Sequence, residues 1–144
     1  MEIFLTNDTK TKITKTKIKS QILIFEEKFN IKCGTLSVSF ISDEDMERLN
    51  TTYLGHEGST DIITFDYKEE NSDLIDGELI ICVDQAKRQS RQYKVILDNE
   101  LSRLVFHGLL HLKGFNDHTD QEREIMHEME NELLDMMSVK SKND

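Results

Sequence analysis

The stretch LVFHGLLHLKGFNDHTD, residues 104–120, carries three of the chain's five histidines in and just after an apolar run. An α-helix turns by about 100° per residue, so positions four apart differ by about 40°. His107 and His111 therefore project from one helix face, with Cβ atoms about 6 Å apart. Two imidazole nitrogens so placed can each reach one ion at about 2.0–2.1 Å. Gly114 is the usual helix-stop residue and lets the chain turn back. Asp117 or His118 can then supply a third ligand. Three protein ligands with one open position is the pattern of a catalytic zinc, not a structural one. The plainer alternative is a pair of core histidines, each needing its own hydrogen-bond partner.

A zinc peptidase of the H-E-x-x-H type needs a glutamate directly after the first histidine as general base. Gly108 holds that position here, which counts against proteolysis. Glycine there instead suits close approach of another backbone to the helix. The chain has no P-loop, no dinucleotide-binding fingerprint and no G-x-S-x-G elbow. Chemistry centred on a metal is the economical reading. His127 lies among acids and His56 in a Gly-flanked loop, and both read as surface groups.

Outward from this stretch, 144 residues with 37% hydrophobic content suit one domain, 1–144, with one modest core and a frayed tail at 138–144. No apolar stretch approaches the roughly 20 residues that span a bilayer. MEIFLTNDTK lacks the features of a secretory signal. Cys33 and Cys82 have no C-x-x-C spacing and read as buried thiols of a cytoplasmic protein. The net charge of −10 argues against broad capture of nucleic acid. Two basic groups stand out: Lys10, Lys12, Lys15, Lys17 and Lys19, then Lys87, Arg88, Arg91 and Lys94. They are either solvated faces or a strip that meets phosphates.

EIFLTN reads as a strand, and 14–29 as a helix with Ile18, Ile22, Phe25 and Phe29 at helical spacing. Residues 35–41 alternate with period two, placing Leu36, Val38 and Phe40 on one face. Ser42 caps a helix with Asp45 as its capping-box partner, and Met46, Leu49 and Tyr53 fall on its inner side. Residues 61–67 and 78–83 are strands, the latter apolar enough to be central, with an acidic connection between them. Residues 84–93 form a basic helix and 96–114 the histidine helix. Thr119 and Glu122 open a last helix with Ile125, Met129, Leu133 and Met136 along one side. About four strands and about five helices that do not alternate strictly predict an α+β fold: a small mixed sheet packed with helices, including a zincin-like metal-site helix.

The stretch HGLLHLKGFNDH resembles the signature of the YbeY family, metal-dependent endoribonucleases of bacterial rRNA maturation, which runs H-G-x-L-H-L-x-G-Y-D-H. His107, Gly108, Leu110, His111, Leu112 and Gly114 match it, and Phe115 stands in the tyrosine position. LNTTYLGHEGSTDIITF is similar to the family's L-N-x-x-Y-R…P-T-D-V-L-S-F segment through Leu49, Asn50, Tyr53, Thr60, Asp61 and Phe65. GELIIC is similar to its G-D-I-x-I segment. The blocks occur in order, and the resemblance covers roughly residues 40–135.

Two positions depart from the pattern. Counted without a gap, the family's third histidine falls on Asp117, with His118 one place late. In the family a methionine follows the third ligand by about nine positions, and Met126 stands at that distance from Asp117. The resemblance thus favours Asp117 as third ligand, with His118 as the alternative. A carboxylate there would lower the site's charge and make a bound water less acidic. Leu54 stands where the family usually has an arginine thought to serve catalysis. Arg103, four residues before His107, is a substitute candidate or a surface ion-pair partner.

The resemblance implies cleavage of single-stranded RNA, with one Zn²⁺ on His107, His111 and Asp117 polarising phosphate and lowering the pKa of water. It also implies partnership with rRNA precursors and the ribosomal small subunit. The basic groups would hold the RNA backbone, and few exposed aromatics predict weak sequence preference. The rivals are a non-catalytic ribosome-assembly factor with a structural metal, and a metal hydrolase acting on a small substrate or peptide.

Overall fold

A computed structural model describes residues 2–55, 58 and 60–143, without the side chains of Leu54 and 140–143. His56 lies outside the described residues. The elements are β1 (Glu2–Asn7), α1 (Lys15–Phe29), β2 (Lys32–Ile41), α2 (Asp43–Leu49), a π-helical turn (Asn50–Leu54), β3 (Ile62–Asp66), β4 (Leu74–Cys82), α3 (Val83–Tyr93), α4 (Leu97–Lys113) and α5 (Asp120–Asn143). The sheet order is β1-β2-β4-β3. β1, β2 and β4 are parallel, and β3 pairs antiparallel to β4. Among the described residues this is an α+β fold with a four-stranded mixed sheet and five α-helices.

The two faces of the sheet differ in cover. Leu36, Val38 and Phe40, with Ile75, Leu79 and Ile81 of β4, point into the main core under α1, α4 and α5. Ile41, Ile63, Ile80 and Cys82 point the other way, onto Met46 of α2. β2 and β4 are central because both faces of each are apolar near their C-terminal ends. Both begin earlier than sequence alternation predicts, because the register slips between Cys33 and Leu36. The Asp76 carboxylate turns into that gap and accepts the Thr35 N–H at 2.5 Å. An acid inside a strand hides the strand from a hydrophobic pattern. Both cysteines are buried thiols. Burial, then the charges of Glu26 and Asp76, push the Cys33 thiol up to about 12.

Two helical expectations are corrected. Tyr53 is 68% exposed instead of facing inward. The π-helical turn adds residues to the repeat and buries Asn50, whose Nδ2 donates to the Gly58 carbonyl at 2.9 Å. On α5, Met129, Leu133 and Met136 pack on the core as expected, but Ile125 is exposed and Met126 and Glu130 are buried in its place.

Gly108 lets α4 lie close on the sheet. A Cβ there would come within 2.6 Å of Leu79 Cδ2 and 2.9 Å of Ile62 Cδ1. The tight neighbours are thus side chains of β4 and β3, not the backbone that a helix glycine suggests. This contact fixes α4 with its histidine face turned away from the sheet.

Candidate metal centre

α4 is held on its apolar side, where Leu101, Leu104, Val105, Leu109 and Leu112 join the core. His107 and His111 sit at the edge of that stripe, both partly buried. The helix stops at Gly114, whose φ of 119° strains any side-chain-bearing residue. The Gly114 N–H reaches the Leu110 and His111 carbonyls, and the Phe115 N–H reaches Leu110. Phe115 then packs against Phe29 of α1, with ring centroids 5.9 Å apart. That anchor turns the chain so that Asp117 comes back beside the histidines. The Thr119–Glu122 capping box starts α5 in both directions: Thr119 N–H to Glu122 Oε1 at 3.0 Å, Glu122 N–H to Thr119 Oγ1 at 3.1 Å. Arg123, one residue further, donates to the carbonyls of Asp117 and His118 at 3.1 and 3.2 Å. The Asp117 loop is thereby pinned by the helix that follows it.

Three candidate ligand atoms converge. His107 Nε2 and His111 Nε2 are 3.0 Å apart, and Asp117 Oδ2 lies 3.5 Å from the first and 3.3 Å from the second. Bonds of 2.0–2.1 Å in tetrahedral array place ligand atoms about 3.3 Å apart. The three separations bracket that value, so the donor set fits one small divalent ion. His107, His111 and Asp117 are the group among the described residues able to hold a metal. His118 is exposed and is not part of it.

A second carboxylate, which the sequence does not single out, completes the arrangement. Glu130 is 5% exposed, and its Oε2 lies 2.6 Å from His107 Nδ1. Its Oε1 accepts from Arg103 Nη1 at 2.9 Å. An ionised carboxylate only accepts, so Nδ1 must carry the hydrogen and Nε2 of a neutral ring keeps its lone pair. The ring is thus locked with its free nitrogen toward Asp117 and His111, a carboxylate–histidine support typical of metal sites. Burial pulls the His107 pKa down, but the hydrogen bond and charge of Glu130, with Asp117 and Asp61 behind, outweigh it and leave the pKa raised.

Arg103, a sequence candidate for transition-state stabilisation, is spent on Glu130 and on Asn131 Oδ1 at 2.7 Å. Arg88, one of the expected phosphate holders, grips Asp43 with two bonds of 2.7 Å. His127 is exposed and touches Arg103. Beside His107 opens a cleft of about 600 Å³ that runs between the C-terminal end of α3, α4 and α5. Buried Glu100 lies in its wall, its carboxyl raised above the ordinary range by burial.

The family described as Endoribonuclease YbeY matches residues 4–138. An endoribonuclease YbeY of Azobacteroides pseudotrichonymphae is 43% identical over 124 residues, covering 86% of this chain and 85% of the relative. That of Parabacteroides distasonis is 41% identical over 122 residues, covering 85% and 84%. That of Flavobacterium johnsoniae is 33% identical over 120 residues, 83% of each chain. A Thermotoga maritima protein solved in solution shares the fold, with a TM-score of 0.69 and 23% identity, covering 98% of this chain and 92% of that one.

Proposed function

The chain belongs to the endoribonuclease YbeY family, and from that premise we propose that it hydrolyses single-stranded RNA during rRNA maturation, using one zinc ion held by His107, His111 and Asp117. The observation that carries this reading is the convergence of three candidate ligand atoms, one of them on a ring locked by Glu130. When bound, the ion supplies Lewis acidity toward a phosphate oxygen and makes a water more acidic. The chain's own groups do the rest. Glu130 keeps the Nδ1 proton on His107, and Arg103 holds Glu130 in place. Arg123 fixes the carbonyls of the Asp117 loop.

No helix among the described residues is long and apolar enough to cross a membrane. The proposed substrate is an rRNA precursor or the ribosomal small subunit in the cytoplasm. The end of α3 borders the cleft through Gln89 and Tyr93, which supports the reading that the neighbouring Lys87, Arg91 and Lys94 meet an RNA backbone outside it. The test is cleavage of a short single-stranded RNA by the zinc-loaded protein and by His111→Ala. Loss of cleavage in the variant supports the enzyme; equal cleavage by both assigns the activity to a contaminant.

One observation favours a second reading, an assembly factor with a structural metal. Leu54 replaces the arginine of the family pattern. The two arginines lining the cleft, Arg103 and Arg123, are already bonded to carboxylate or carbonyl oxygens. Turnover should therefore be slow. Chelation separates the readings: a structural metal takes the fold with it, whereas removal of a catalytic one costs activity.

A further inference from the structure

The cleft beside the metal centre extends past the metal-site groups to residues that the reaction itself does not use. His107 and Asp117 form one end of it, and Tyr93, Val95 and Asn99 line it further along. Tyr93 closes α3 and is 59% exposed, although the main core lies directly behind that helix. An aromatic ring left bare on the wall of a cavity of about 600 Å³ is a face for a flat partner.

The charges decide which part of a substrate belongs there. Asp61, Glu100 and Glu130 also line the cleft. Its arginines are already engaged, Arg103 by Glu130 and Asn131, Arg123 by the Asp117 loop and Asp120. A phosphate moved into this region would meet acids and no uncommitted guanidinium. A neutral, planar group with hydrogen-bonding edges meets a ring, an aliphatic side chain and the Asn99 amide. In a polynucleotide that group is the base, joined through one sugar to the phosphate at the metal end.

We propose that this cleft is a nucleobase-binding subsite, with Tyr93 as its stacking wall, for the nucleotide adjoining the scissile phosphate. The proposal rests on the ribonuclease reading and adds a residue that sets how a nucleotide is held. The sequence alone predicts little stacking because exposed aromatics are few. The fold places one of them beside the reaction centre.

The experiment compares adenosine 5′-monophosphate with ribose 5-phosphate, titrated onto the zinc-loaded protein and followed by NMR shifts. The two share sugar and phosphate, so the metal end treats them alike. Base–aromatic stacking predicts about tenfold tighter binding of the nucleotide. Tyr93→Ala should erase that difference, and Tyr93→Phe should keep it. In cleavage of a short RNA, Tyr93→Ala should raise KM about tenfold with kcat little changed. Equal binding of the two probes by the wild type overturns the subsite, as does an unchanged nucleotide affinity in Tyr93→Ala. RNA cleavage that persists in that case leaves the ribonuclease reading standing. Discrimination between the probes by a protein that never cuts RNA sustains the subsite and removes the ribonuclease reading instead.

Discussion

Replacing Glu130 by glutamine should weaken zinc binding through a conflict that the geometry makes specific. Glu130 accepts two hydrogen bonds, one on each oxygen, from Arg103 at 2.9 Å and His107 at 2.6 Å. Glutamine keeps the shape but has one acceptor oxygen and one NH₂ donor. It can satisfy Arg103 or His107, not both. If Arg103 takes the oxygen, the amide NH₂ faces His107 Nδ1, and the ring must move its hydrogen to Nε2. That is the atom that faces Asp117 and His111, so metal binding then has to undo the new tautomer. A charge-assisted hydrogen bond contributes about 1.5–3 kcal/mol and a neutral one about 0.5–1.5. The expected loss is therefore roughly 1–2 kcal/mol, about 5- to 30-fold in zinc affinity, near the lower range for supporting carboxylates. Competition against a chelating dye measures it. A further variant sharpens the reasoning: Arg103→Met frees the glutamine oxygen for His107, so the double variant should bind zinc more tightly than Glu130→Gln alone. If Glu130→Gln binds zinc within twofold of wild type, or Arg103→Met worsens it additively, Glu130 does not act through the His107 tautomer.

Zinc content should fall to background in Asp117→Ala and stay close to one ion per chain in His118→Ala, since His118 is exposed and outside the acceptor cluster; the reverse pattern transfers the third ligand to His118. In the metal-free protein, the raised His107 pKa stabilises the fold most fully below about 6.5, the unfolded value, and this contribution is lost as pH rises through the folded value. The stability gap between wild type and His107→Gln, from urea unfolding, should thus be wider at about pH 5.5 than at about pH 8.5; a constant gap contradicts it. Cys33, with a thiol pushed up to about 12, should resist iodoacetamide at pH 8 in the native state and react once unfolded, because only the thiolate attacks. Rapid native labelling at that residue, read by mass spectrometry, would show that it is not buried in this way.

The periodic parts of the molecule were legible in the sequence. Leu36, Val38 and Phe40 announced a strand face, the Ser42 and Thr119 boxes announced helix starts, and the four-residue spacing of His107 and His111 announced a shared face. Each rests on local geometry, the repeat of a strand or a helix, which neighbouring residues fix among themselves. Gly114 was likewise readable, since the need for positive φ at a helix end is local.

What failed to show was whatever depended on a distant partner. Asp76 could not be placed in a strand without the register slip opposite Gly34 that gives its carboxylate a donor. Tyr53 could not be turned outward without the π-helical turn. Glu130 lies on the line Met126, Glu130, Leu133, a helical spacing present in the sequence, yet the line through Ile125 and Met129 carries no charge and so reads as the more apolar one. Only the return of α5 along α4 chooses between them, because it supplies Arg103 and His107 as partners that make burial of a charge tolerable. The sequence by itself determined the elements and the two histidines. The packing of α5 on α4 decided how one of those histidines is held and what lies beside it, since the energy of a buried carboxylate depends on groups more than twenty residues away.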